Sequence, residues 1–350
     1  MEAVRWHAAG DVRLEEVELE LPLGPGMVEA EVRYCGICGS DLAEFRHPFA
    51  IRPEKVHPLT GQQPPLTLGH EFSAVITAVG EGVDEVAPGD RVSADACWRC
   101  GECEACVAGR YNQCIYSGSI GLSADGAFAP LVRFPAYCAV PLPDNVSDEV
   151  GALLEPLAVG LHALDRADAQ AGERVAVIGY GPVGAATALL ASSLGLEPIV
   201  YELNEGRRAR AEDHGFEAHT PEPESREFAR AVRGRTEGGA EIVVDCSGAV
   251  PALEAAMEMT RRGGRVVIAG IPKKPVPVDP GRMVLYERSL IATLGYANDL
   301  PRVARMIASG ALEPEVMITK RIALSEVPGE IERMASDPRD EVKVLAEVGP

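Results

Sequence analysis

Cys100, Cys103, Cys106 and Cys114 place four thiols within fifteen residues, at spacings of two, two and seven. Thiolates are soft ligands, and four of them satisfy a tetrahedral Zn²⁺ with no position left for substrate. The ladder predicts a structural zinc lobe over about 97–114. Cys97-x2-Cys100 offers a competing register, and spacing alone leaves it open. A second set, Cys38 with His70 and Glu71, mixes thiol, imidazole and carboxylate. That mixture suits a zinc that keeps an open position for chemistry. Cys35, Cys138 and Cys246 read as small buried apolar residues. His7, His47, His57, His162, His214 and His219 read as surface or packing residues.

A third constellation is Gly179-Tyr180-Gly181-Pro182-Val183-Gly184, which follows an apolar run and opens an Ala/Leu-rich one. Its glycines permit a tight turn, close approach of backbone to a pyrophosphate, and packing of helix on strand; Pro182 and Val183 begin the helix whose N-terminus faces the phosphates. Glu202, eighteen residues past Gly184, stands at the next strand end. Its carboxylate there accepts from an adenosine ribose diol and repels a 2′-phosphate, favouring NAD over NADP, with Arg207 nearby as a counterweight.

These groups need elements to hold them. The first 150 residues carry short apolar runs (Met27–Tyr34, Phe72–Val79, Arg91–Ala94, Ala136–Val140) between Gly and Pro, which predicts an antiparallel, barrel-like domain. Five prolines between His47 and Leu68 mark a long loop beside the site. From about Leu157 the rhythm alternates. Strands at Arg174–Ile178, Pro198–Glu202, Glu241–Asp245 and Arg265–Ala269 are separated by helices such as Pro182–Leu194 and Val250–Thr260. Alternation of this kind predicts a parallel sheet covered on both faces, a Rossmann doubly wound α/β unit. Ser289–Leu294 is expected to end that sheet and offer an edge for pairing with a second copy. A helix at Leu300–Ala308 and later β segments are expected to return to the first domain.

Composition narrows the class. At 350 residues two domains are expected, and the balance of 33 basic against 53 acidic residues gives −20. That charge repels phosphate backbones and anionic lipid, so nucleic acid and membrane partners are not expected. The uncharged run Val175–Leu196 is broken by its glycines and reads as strand, turn and helix rather than a span. The start Met1-Glu2-Ala3-Val4-Arg5-Trp6 carries no apolar signal segment, and six of nine cysteines cluster between Cys97 and Cys138. Metal thiolates in a reducing cytoplasm are the expectation.

Tyr34-Cys35-Gly36-Ile37-Cys38-Gly39-Ser40-Asp41, Gly69-His70-Glu71, the cysteine ladder, Leu154-Glu155-Pro156 and the glycine fingerprint occur in that order. Together they resemble the zinc-dependent medium-chain alcohol/polyol dehydrogenases, over essentially the whole chain. The insertion Val56 to Leu68 before Gly69-His70-Glu71 is similar to that of the 2,3-butanediol dehydrogenase branch. The resemblance implies a GroES-like catalytic domain at 1–156, a Rossmann domain at 157–294 and a return to the catalytic domain at 295–350. It implies Cys38, His70 and Glu155 as catalytic zinc ligands, with Glu71 a carboxylate that exchanges with water or Glu155. Asp41 would orient the zinc-bound histidine, and the seven-residue gap selects the register starting at Cys100. Ser40 would take the alcohol proton. Relatives continue that relay to a histidine at the position held here by Ala43, leaving water, His47 or His57 as the exit. Ala96 falls at a substrate-pocket position that is often aromatic in relatives, which implies a larger pocket. Relatives form dimers or tetramers.

The expectation is an oxidoreductase with one catalytic and one structural Zn²⁺, passing hydride between NAD and a secondary alcohol, of the 2,3-butanediol/acetoin type. Other polyols, threonine-like amino alcohols or natural-product intermediates are the alternatives within the class. A non-catalytic dinucleotide-binding redox sensor is the alternative outside it, and intact Cys38, Ser40, His70, Glu71 and Glu155 argue against that. A zinc-finger nucleic-acid module fails on charge and on the lack of a basic recognition helix.

Overall fold

Short apolar strands gather, in the computed structural model, into two large sheets and two small ones among the described residues. The structure describes residues 1–19, 22–222, 224–236, 238–337 and 340–349. The larger sheet runs Ala139–Pro141, Arg91–Ala94, Glu71–Val79, Met27–Gly36, Lys343–Glu347, Ile318–Ala323, with Leu131–Pro135 also paired to Met27–Gly36. Its N-terminal members are antiparallel, as the turn-rich sequence requires. Lys343–Glu347 pairs antiparallel with Met27–Gly36, placing Leu345 opposite Gly36. Strand Lys343–Glu347 thus lies inside the first sheet, between Met27–Gly36 and Ile318–Ala323, beside the Cys38 segment. A smaller sheet of Asp11–Glu16, Glu2–Ala8 and Leu66–Thr67 lies against it.

The second large sheet is parallel, in the order Glu217–His219, Glu197–Tyr201, Arg174–Ile178, Ala240–Asp245, Thr260–Ile268, Ser289–Ala292. Such strands are buried on both faces and read as continuous apolar runs. Val175, Ala176, Val177, Val243 and Val244 are fully buried. The strand order reverses between Arg174–Ile178 and Ala240–Asp245, the point where open α/β sheets bind ligands. The glycine fingerprint leaves the first of these strands there.

Several boundaries differ from expectation. Ala136–Val140 is a 3₁₀ turn at Ala136–Cys138 followed by a strand at Ala139–Pro141. The strand expected at Pro198–Glu202 lies one residue earlier, so Glu202 stands just past its end. The strand expected at Arg265–Ala269 starts earlier and ends one residue sooner, as Thr260–Ile268. Glu217–His219 is too short to show as an apolar run and is recruited by pairing with Glu197–Tyr201. Among the described residues no helix is long and apolar enough to cross a membrane.

Candidate active site

Cys38 is the N-cap of helix Gly39–Arg46, and the Asp41 carboxylate turns back to accept from the Cys38 amide at 2.9 Å. His70 and Glu71 enter strand Glu71–Val79 directly after Gly69, whose φ is +98°. A Cβ at Gly69 would fall 2.7 Å from Cys35 Sγ and 2.8 Å from the Phe128 amide, so only glycine delivers His70 at this angle. The result is compact. Ligand atoms of Cys38, His70 and Glu71 all lie within 4.8 Å of one another. His70 Nε2 is 3.1 Å from Ser40 Oγ, and His70 Nδ1 faces Asp41 Oδ1 at 3.7 Å.

The electrostatics of this cluster call for a cation. Burial pushes the Asp41 carboxyl up to about 6, against the pull of His70. Burial likewise pushes Glu155 up to about 7, with Glu71 adding to the rise. The Cys38 thiol is raised by burial and by Glu71. For His70 burial acts downward, but Cys38 and Asp41 outweigh it and hold the imidazole well above its ordinary range. Crowded buried acids beside a thiol and an imidazole fit a divalent metal, which would satisfy them together.

Glu155, in the first turn of helix Leu154–Arg166, stands close enough to interact with His70, Glu71 and Lys343. It lies outside the three-donor group, which Glu71 completes. Sequence reasoning missed Lys343. Its ammonium is completely buried, ion-paired with Glu71, and donates to the Ile37 carbonyl at 3.1 Å. It also missed Tyr296, whose hydroxyl accepts from the Ala96 amide at 3.0 Å and faces Glu155. Ala96 itself is buried, and its amide adjoins that tyrosine.

The ladder folds into a separate lobe. The thiols of Cys100, Cys103, Cys106 and Cys114 lie within 4.8 Å of one another, and Cys97 falls outside that group. Backbone amides aim at sulfur, Cys100 N at Cys114 Sγ and Cys103 N at Cys100 Sγ, both 3.4 Å. Amides of Cys106 and Ile115 hold the Cys103 thiol down to about 6. Four converging sulfurs with thiolate-stabilising donors fit a closed zinc site.

At the sheet's switch point Gly179 has φ +92° and a Cβ on Gly184 would overlap the Gly179 carbonyl at 1.8 Å. Gly181 is the N-cap of helix Pro182–Ser193, and the space beside it opens toward Arg207 Nη1. The Glu202 carboxylate accepts from the Tyr180 amide at 2.6 Å and the Asn204 amide at 2.8 Å. It is therefore locked onto the glycine turn, with lone pairs remaining for a ribose diol. Arg207 donates through Nε to the Glu341 carbonyl at 3.0 Å, a bond that crosses to the first sheet's side of the cleft.

The remaining histidines are engaged elsewhere. His57 Nδ1 accepts from the Thr60 amide at 3.3 Å, so its Nε2 carries the proton donated to the Ser117 carbonyl. In this geometry the ring braces its loop. His162 pairs with Asp299, His214 with the Tyr180 hydroxyl, His219 with Glu217 and His7 with Glu15. His47 is exposed at the end of its helix.

Known proteins share this architecture. The family model for the alcohol dehydrogenase GroES-like domain matches residues 24–144, and that for zinc-binding dehydrogenase matches residues 182–309. An (R,R)-butanediol dehydrogenase of Bacillus subtilis is 33% identical over 99% of both chains. An L-arabinitol 4-dehydrogenase of Aureobasidium melanogenum is 33% identical over 95% of this chain and 90% of its own. The crystal structure of 2R,3R-butanediol dehydrogenase from Bacillus subtilis superimposes with a TM-score of 0.91, at 33% identity and 99% coverage of both chains.

Proposed function

The chain belongs to the zinc-binding, GroES-like alcohol dehydrogenase family, and on that premise we propose that it passes hydride between NAD and a vicinal diol or its hydroxyketone, such as 2,3-butanediol and acetoin. The observation that carries the reading is the buried Cys38, His70 and Glu71 group with Ser40 Oγ 3.1 Å from His70 Nε2. The substrate class is supported by the Bacillus subtilis relative, an (R,R)-butanediol dehydrogenase similar over its full length.

Cys38, His70 and Glu71 would hold the catalytic zinc, with Glu155 in reserve as an exchanging carboxylate. Cys100, Cys103, Cys106 and Cys114 would hold the structural one. When bound, the catalytic zinc supplies a Lewis acid that lowers the pKa of a substrate hydroxyl, and the nicotinamide supplies the hydride acceptor. Asp41 faces His70 Nδ1 at 3.7 Å as a charge partner, which leaves Nε2, on the Ser40 side, as the atom that would meet the metal. Ser40 Oγ is placed to receive the substrate hydroxyl proton. With Ala43 offering no imidazole and His57 committed to its loop, that proton leaves through water. Gly179, Gly181, Pro182, Val183 and Gly184 form the pyrophosphate cradle, Glu202 takes the adenosine ribose diol, and Arg207 flanks the cradle. The open edge strand Ser289–Ala292 would serve as a pairing edge in a cytoplasmic homodimer or homotetramer.

Initial rates on zinc-replete protein test this, with NAD and NADP against stereodefined 2,3-butanediols, L-arabinitol, sorbitol and threonine. NAD reduction with one butanediol isomer is expected. Preferential turnover of L-arabinitol or sorbitol moves the substrate to polyols. Silence across the panel at full zinc occupancy removes the diol reading.

A further inference from the structure

The four-cysteine lobe does more than close on itself. It grips the crossover between strand Ser289–Ala292 of the parallel sheet and helix Leu300–Ala308. Asn112, two residues before Cys114, donates through Nδ2 to the Leu294 carbonyl at 2.8 Å. The Tyr111 hydroxyl accepts from the Asn298 amide at 2.7 Å and donates to Asp95 at 2.6 Å. Asn298 Nδ2 returns a bond to the Gly109 carbonyl at 3.0 Å. Asp95 also accepts from Arg99, whose guanidinium lies 3.9 Å over the Tyr111 ring and 4.3 Å over that of Tyr137. Tyr111, Asn112 and Asp95 are all buried.

Between these clamps lies Tyr296, buried to 1% exposure. Its hydroxyl meets the Ala96 amide, one residue from Asp95, and faces the Glu155 carboxylate. A buried phenol has little freedom once its backbone is pinned on both sides, so wherever the lobe holds the crossover it also holds that hydroxyl.

We infer that the four-cysteine lobe is a positioning element of the active site, with Tyr111 and Asn112 setting the Tyr296 hydroxyl against Glu155 and the Ala96 wall. Tyr296 is in turn the positioning residue for Glu155. A metal held by the four thiols would thereby take a second role, because it would fix the loop from which Tyr111 and Asn112 reach across. The inference rests on the dehydrogenase reading for its kinetic consequence and on geometry alone for its structural one.

The test uses full-length protein with zinc in the lobe and Co²⁺ at the Cys38 group. Asn112→Ala and Tyr296→Phe are compared singly and together, since neither removes a thiol. The expected result is a loss of about fivefold in kcat for Asn112→Ala, the scale of one net hydrogen bond, at unchanged KM for NAD. Its Co²⁺ absorption band moves in the same sense as that of Tyr296→Phe, and adding Asn112→Ala to Tyr296→Phe changes little further. A parental band and kcat with only a lowered Tm would overturn the inference, and so would a full, independent effect in the Tyr296→Phe background. If Asn112→Ala fails to fold, Asn298→Ala cuts the second side-chain bond between lobe and crossover, Asn298 Nδ2 to the Gly109 carbonyl, and is held to the same readout. Parent protein that oxidises no alcohol defeats the dehydrogenase reading, while the Co²⁺ bands still decide the positioning.

Discussion

Removing Lys343 alone would expose how the buried Glu71 carboxylate is held. Lys343 and Glu71 are 0% and 1% exposed, and the ammonium also serves the Ile37 carbonyl. Lys343→Met keeps the length and apolar stem of the side chain but leaves a buried carboxylate unpaired. Breaking a buried pair from one side costs about 3–5 kcal/mol. Unfolding entropy of roughly 2 cal/mol/K per residue over 350 residues converts this into a Tm fall of roughly 4–7 °C. That figure applies to metal-free protein. A divalent cation in the Cys38 group faces the same carboxylate and compensates it, so the deficit should shrink at saturating zinc. The assay is calorimetric unfolding of parent, Lys343→Met and Lys343→Met/Glu71→Gln, each with chelator and with zinc. The double variant should regain most of the lost stability without metal, because a neutral amide no longer demands a counter-charge. A metal-free Lys343→Met within about 1 °C of the parent would refute the reasoning, as would a deficit that Glu71→Gln leaves intact.

Glu330 provides the pH dependence. Arg333, then Lys320, hold its carboxyl below the ordinary range, so it binds a proton more weakly folded than unfolded. Its stabilisation is present above the unfolded value of 4.5 and fades as pH falls toward the lower folded value; Glu330→Gln should therefore flatten the fall in Tm between about pH 5 and 3, and an unchanged slope would count against it. Gly184→Ala drives a methyl to 1.8 Å from the Gly179 carbonyl; NADH fluorescence titration should show binding lost, and parental affinity would mean the turn tolerates a wider helix–strand gap. Ala96→Phe overpacks a buried position beside Tyr296 at a cost of about 1–3 kcal/mol and should shift preference toward smaller alcohols; unchanged Tm and preference would place residue 96 away from the pocket.

The chemistry was legible because its signals are local. The cysteine ladder, Gly69-His70-Glu71 and the glycine fingerprint each sit within a few residues, where ligand spacing and turn geometry speak directly. The helix at Leu300–Ala308 and the strand at Arg174–Ile178 were readable for the same reason, having clear boundaries in their own sequence. What pairing decides was not. Glu217–His219 is a strand only because Glu197–Tyr201 offers it an edge. Lys343 lies in an apolar run where a lone charge would ordinarily face solvent, yet its strand is buried on both sides and Glu71 waits for it. Tyr296 reaches Ala96 across two hundred residues. Sequence could supply the candidate metal donors and the glycine turn, since each is a property of neighbouring residues. Which carboxylate completes the metal group, which cation balances it and what braces its pocket depend on strands brought together by burial, and only the folded chain makes those contacts.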